Sequence, residues 1–296
     1  MTRFNLILLL VMMTSLDGCA PLDDTVDPEG VQEKMRSLSP GKEDRAACMG
    51  RLTPDEVDEV IELSDPKTLV DEYDAQKRVN RIAQLFREAK DPRGLFATVY
   101  RLITNRAVES VDDGDYEYPD WARSLITEFA RRYLHNVHAH LTDGDITGSW
   151  EKYYDIAQNC DVGRGRTLGV AIAVHLMVDL PKTLYAIDSL PEQREDFVLF
   201  GDILLEIFPQ LIIDVKKDYD EDVTELLRGF FFGEWVDRFT RAGTMTAFIY
   251  QGVRLKAWRD SQNYRKFPRR VVNLEVHAAW GAAEVLLAHL DAVDVL

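Results

Sequence analysis

A chain of 296 residues with 46% hydrophobic and 29% charged side chains can bury a large core, which excludes a wholly disordered protein. Its 51 acidic residues against 35 basic ones leave a formal charge of −16. That balance argues against phosphate-backbone binding, so no nucleic-acid partner is expected, and against lying flat on anionic lipid; it is read as solubility.

The N-terminus carries a targeting pattern. Arg3 precedes a short apolar run, Leu6 to Met13, too short to span a bilayer but right for the core of a signal peptide. Leu16-Asp17-Gly18-Cys19 then resembles the lipobox of bacterial lipoproteins, which implies a signal peptide over 1–18 and lipid on Cys19; Asp17 departs from the usual small or aliphatic residue. Ala20 in place of aspartate favours the outer membrane, so the expected partner is the envelope membrane, reached through that lipid, with a secreted or periplasmic protein as the alternative. In such an oxidising compartment Cys48 and Cys160 can form a disulfide; two buried free thiols are the other reading.

Residues 19–52 are polar and rich in Asp, Pro and Gly, and read as a tether to a globular domain over 53–296. Thr53-Pro54-Asp55-Glu56 has the composition of a capping box and opens the first helix. Amphipathic helices follow over about 75–90, from Asp91-Pro92, over 119–141 and over 150–158. Ser189-Leu190-Pro191-Glu192 is read as a second capping box, opening a helix to about Phe208 that Pro209 interrupts. A Phe/Trp-rich helix is expected over 223–239, another over 245–259, and a last one over 270–292 with an inner stripe of Val272, Val276, Ala279, Ala283, Leu286 and Leu290. No β-alternation stands out, so the expected fold is all-α, one domain of about ten helices.

Its centre is predicted at 166–188. Between Leu168 and Leu180 that segment is apolar on every side except at His175 and Asp179, which stand four apart and share a face. Two ionisable groups in a core need partners. Pro181 also withholds an N–H from the Met177 carbonyl.

The segments DPRGLFATVYRLITNRAVE, PDWARSLITEFARRYL, GVAIAVHLMVDLP and VRLKAWR, with Trp150 between them, resemble the bacterial domain-of-unknown-function family 5995 over roughly residues 90–260. The matching positions are Asp91, Phe96, Tyr100 and Thr104, then Trp121, Phe129, Ala130 and Tyr133, then Gly169, His175, Asp179 and Leu180, and finally Arg254 and Trp258. This chain departs from the family pattern at Val170 to Val174, where a polar residue is usual, and near Gly201-Asp202, where an asparagine is expected. The resemblance implies a fold and a site but no reaction.

Two functional readings follow. In the first, an envelope protein binds a small molecule or a protein partner, and His175 and Asp179 form a structural cluster with Tyr133, Asp196, Arg254 and Trp258. In the second, a metal-dependent or acid–base enzyme of hydrolase-like type uses His175 and Asp179, with His138, Asp202 and Glu206 as further ligands for a divalent metal. A weaker metal pattern is Asp143, Asp145 and Thr147, which copy the first half of a calcium loop but meet Tyr154 where the bidentate glutamate belongs. His135, His138 and His140 at one helix end suit the helix dipole. Phe230, Phe231, Phe232 and Trp235 are read as core.

Overall fold

The computed structural model describes residues 50–224, 226–227 and 245–292, and only the backbone of 245–250. The signal segment, Cys19, Cys48, nearly all of the tether, most of the expected helix over 223–239 and its four aromatics lie outside the described residues. Within them the fold is all-α, with no strand. Ten helices run in order: α1 Pro54–Ser64, α2 Glu72–Glu88, α3 Leu95–Asp112, α4 Pro119–Leu141, α5 Gly148–Ala157, α6 Arg164–Ala186, α7 Arg194–Leu205, α8 Phe208–Tyr219, α9 Met245–Lys266 and α10 Arg269–Ala292.

Local chemistry accounts for the helix ends. The Thr53 hydroxyl accepts from the Glu56 N–H while Glu56 reaches back to the Thr53 N–H at 2.7 Å, closing the expected capping box. The expected box at Ser189 does not form. There the Trp121 indole donates to the Ser189 hydroxyl at 2.9 Å, and Gln193 instead accepts from the Leu190 N–H at 2.8 Å, giving a 3₁₀ turn before α7. Pro209 sits in the first turn of α8, where its missing N–H costs nothing.

Helix α6 occupies the middle. It packs against α3, α4, α5, α9 and α10, as a helix without a polar face must. It is one of two described helices long and apolar enough to cross a membrane, but 78% of its apolar window is buried within the protein, against 33% for α10. The inner stripe of α10 is Val272, Val276, Trp280, Ala283 and Leu287, not the expected one with Ala279, Leu286 and Leu290. The bulky Trp280 takes the inner position and turns the second half of the helix.

The structure closes α7 onto α9 through one close approach. Arg254 lies across Gly201, donates to the Phe197 carbonyl at 2.6 Å and to Gln251 at 2.8 Å, and stacks 4.3 Å over the Phe197 ring. A Cβ on residue 201 would stand 1.6 Å from the guanidinium. Cys160 is disulfide-bonded, its partner lying outside the described residues.

Gly201→Ala is therefore expected to displace Arg254 and destabilise the fold by about 2–4 kcal/mol, a loss of several degrees in Tm by calorimetry. A melting curve matching that of the parent would show that the helices separate without cost.

Candidate functional site

The site is built on an irregularity in α6. Pro181 has no N–H, so the α-helical ladder cannot continue unbroken. Residues His175–Asp179 widen into a π-turn in which the Leu180 N–H bonds the His175 carbonyl, and helical pairing resumes over Leu180–Ala186. Single π-turns of this kind occur frequently at functional sites.

The two polar residues of the turn partner each other. Nδ1 of His175 lies 3.1 Å from Oδ2 of Asp179, and the Trp150 indole N–H on α5 donates to the same oxygen at 2.8 Å. Both residues of the pair are buried, at 4% and 3% exposure. The carboxylate is an acceptor, so Nδ1 carries the ring proton and Nε2 presents a lone pair. That Nε2 has no hydrogen-bond partner among the described residues. Burial lowers the affinity of the ring for a second proton, and the bond to Asp179 only partly offsets this, so His175 is neutral at pH 7.

Aromatic rings box the imidazole in. Phe129 stacks on it with centroids 3.6 Å apart and planes at 12°, while Phe96, Tyr100 and Trp150 meet it edge-on at 5.2, 4.7 and 6.1 Å. Tyr133 packs on Phe96, Tyr100 and Trp150 but accounts for no bond to the pair. A cavity of about 60 Å³ opens beside His175, its other walls including Phe96, Ile103, Phe197 and Leu211. Apart from His175, Tyr100 and Arg254, every described residue lining it is apolar.

The remaining expected site residues stand elsewhere. Asp196 accepts from the N–H groups of Glu117 and Tyr118 and so fixes the start of α4. Trp258 packs on Trp121 and Phe197. His138 bonds the Ile61 carbonyl, Asp202 accepts from Gln251, and Glu206 from Arg106, so none of them joins His175 and Asp179 in the bonds they make. In the Asp143–Thr147 loop the Thr147 hydroxyl bonds Asn136, and His135 meets the Asp145 carbonyl. No group of three or more His, Cys, Asp or Glu side chains placed to hold a metal occurs among the described residues. His140 is not the exposed dipole partner expected. It stacks on Tyr154 at 4.0 Å beside the Arg93–Asp91 pair, and burial pushes its pKa down to about 4.

A model of a family of unknown function, DUF5995, matches residues 73–289. The chain belongs to this family. The match extends past both ends of the stretch over which the resemblance was legible, and includes every residue of the site. Neither the curated proteins nor the solved structures include one that matches.

Sequence reasoning found the pair but missed Trp150 as its third member, the π-turn and the cavity. Trp150 had been visible only as one position of the family pattern.

Two histidines, His140 and His175, are held below their ordinary range, chiefly by burial. The unfolded chain takes up protons near pH 6.5 that the folded chain refuses, so stability should fall as the pH is lowered from 6.5 towards 5. His140→Phe keeps the stack on Tyr154 and is expected to flatten that slope; an unchanged slope by thermal melting at each pH would refute the assignment.

Proposed function

We propose that this is a lipid-anchored envelope protein whose cavity beside His175 binds a small, largely apolar molecule carrying one hydrogen-bond donor. The observation that carries the binding reading is the bare Nε2 of a neutral, buried imidazole beside a cavity whose lining, apart from His175, Tyr100 and Arg254, is apolar. Such an acceptor has lost its water and gains most from a ligand O–H or N–H, while the walls reward apolar surface. At roughly 10–15 Å³ per water-sized occupant the cavity of about 60 Å³ takes about four to six non-hydrogen atoms, the size of a small ring. Anchoring rests on the Leu16–Cys19 pattern, with the outer membrane favoured and a secreted or periplasmic location as the alternative.

A second reading has its own support. An imidazole whose Nδ1–H is held by a carboxylate and whose Nε2 is bare is the arrangement of a general base, and Trp150 in turn fixes the carboxylate. In that case the bound molecule is a substrate that gives its proton to His175. A divalent metal at Nε2 would need further ligands, and no carboxylate, cysteine or second histidine is among the described residues lining the cavity.

Pyrrole and furan are near-isosteric rings that differ in the N–H donor. Pyrrole is expected to bind at least about tenfold more tightly than furan, measured by calorimetry or Trp150 fluorescence. His175→Phe should abolish that preference. Equal binding of the two rings by the parent protein, or a preference that survives in the variant, would overturn the reading.

A further inference from the structure

The surface at the corner between α9 and α10 differs from the rest of this acidic chain. Arg265, Lys266, Arg269 and Arg270 fall within six residues, around Phe267-Pro268, and all four are exposed. Phe267, Val271 and Leu274 stand beside them at 50%, 55% and 47% exposure. Val271 and Leu274, three apart, share a face of the first turns of α10, and Phe267 is exposed in the corner just before that helix. Leu190, 41% exposed, borders the same surface, because the neighbouring Ser189 carbonyl accepts from both Gln262 and Arg265.

The charge at this corner is net basic. Asp188 is the acid that meets it, paired with Arg265 at 2.5 Å. Asp260 and Glu275, on the same two helices, are engaged by Lys256 and Arg259. Arg269 stacks 5.3 Å from the Tyr185 ring, which leaves the guanidinium at the surface. Lys266 and Arg270 have no ion pair among the described residues.

We propose that this corner is a docking surface for an anionic lipid bilayer. The cations meet the headgroup phosphates, and Phe267, Val271 and Leu274 enter the headgroup boundary. The pairing of charge with exposed apolar side chains selects this partner: a nucleic acid would use the cations but gives no return for burying Val271 and Leu274. The total of −16 argues against the molecule as a whole lying on anionic lipid, but at physiological salt the field of distant carboxylates is screened within about 8 Å, so the local basic charge governs this corner. The surface does not depend on acylation of Cys19. It would set which face of an anchored protein rests on the membrane.

The test is sedimentation of the full chain with vesicles of phosphatidylcholine alone or with about a third phosphatidylglycerol. The apolar Leu6–Met13 segment is common to parent and variants and cancels in the comparison. The parent is expected to bind the anionic vesicles about tenfold or more tightly, with the preference lost at high salt. Lys266→Glu with Arg270→Glu should remove the preference, and Phe267→Ser should weaken binding to both vesicle types. These positions are exposed, so circular dichroism should be unchanged. An equal affinity of the parent for both vesicle types, or a charge-reversed protein that keeps the preference, would overturn the proposal. So would a concentration-dependent dimer dissociated by Val271→Asp in a protein whose vesicle binding that change leaves intact, since the stripe would then belong to a second copy of the chain.

Discussion

The two hydrogen bonds that Asp179 accepts, from the Trp150 indole and from Nδ1 of His175, are the constraint on which the centre of this molecule depends. A carboxylate in an apolar core costs several kcal/mol unless donors reach it. Here one donor comes from the next helix and one from the same turn. The first ties α5 to α6; the second fixes the tautomer of the imidazole and points its basic nitrogen away from the carboxylate. What in the sequence looks like a liability in the core is a bonded pair that leaves one imidazole nitrogen without a partner among the described residues, beside a largely apolar cavity.

The surroundings hold that pair rigid. Phe129 from α4, Phe96 and Tyr100 from α3, and Trp150 from α5 enclose the ring from several directions, so rotation would break packing on more than one helix. Beside the cavity, α7 and α9 are joined by their own lock, in which Arg254 crosses Gly201 to reach the Phe197 carbonyl. A side chain at residue 201 would occupy the path of the guanidinium.

Much of this was legible in the sequence, and what was not has identifiable reasons. An all-apolar segment interrupted by His175 and Asp179 can only be a core helix, and composition alone gives that. The Thr53 box was readable because its partners lie three residues apart. Trp150 was not, because it stands 29 residues from Asp179 and meets it only once α5 folds back on α6. Ser189 has the composition of a cap, but a tertiary donor, Trp121, claims its hydroxyl. On α10 a regular stripe was drawn through Ala279, whereas the larger Trp280 takes the inner position and shifts the second half of the helix. The expected metal ligands His138, Asp202 and Glu206 each bond a neighbour of their own, at Ile61, Gln251 and Arg106, partners that spacing along one chain does not reveal. Residue type and spacing identify what a side chain can do, while its partner is decided by how helices meet.

The state of the His175 ring tests the account most directly. Two-bond nitrogen–proton correlation spectra of imidazole-labelled protein, with His175→Phe to assign the signal, report both tautomer and charge. A neutral ring at pH 7 with its proton on Nδ1, unchanged when Phe267 is replaced but disturbed in Trp150→Phe, is the predicted result. An imidazolium at pH 7, or a proton on Nε2, would contradict the bare acceptor on which the proposed binding rests.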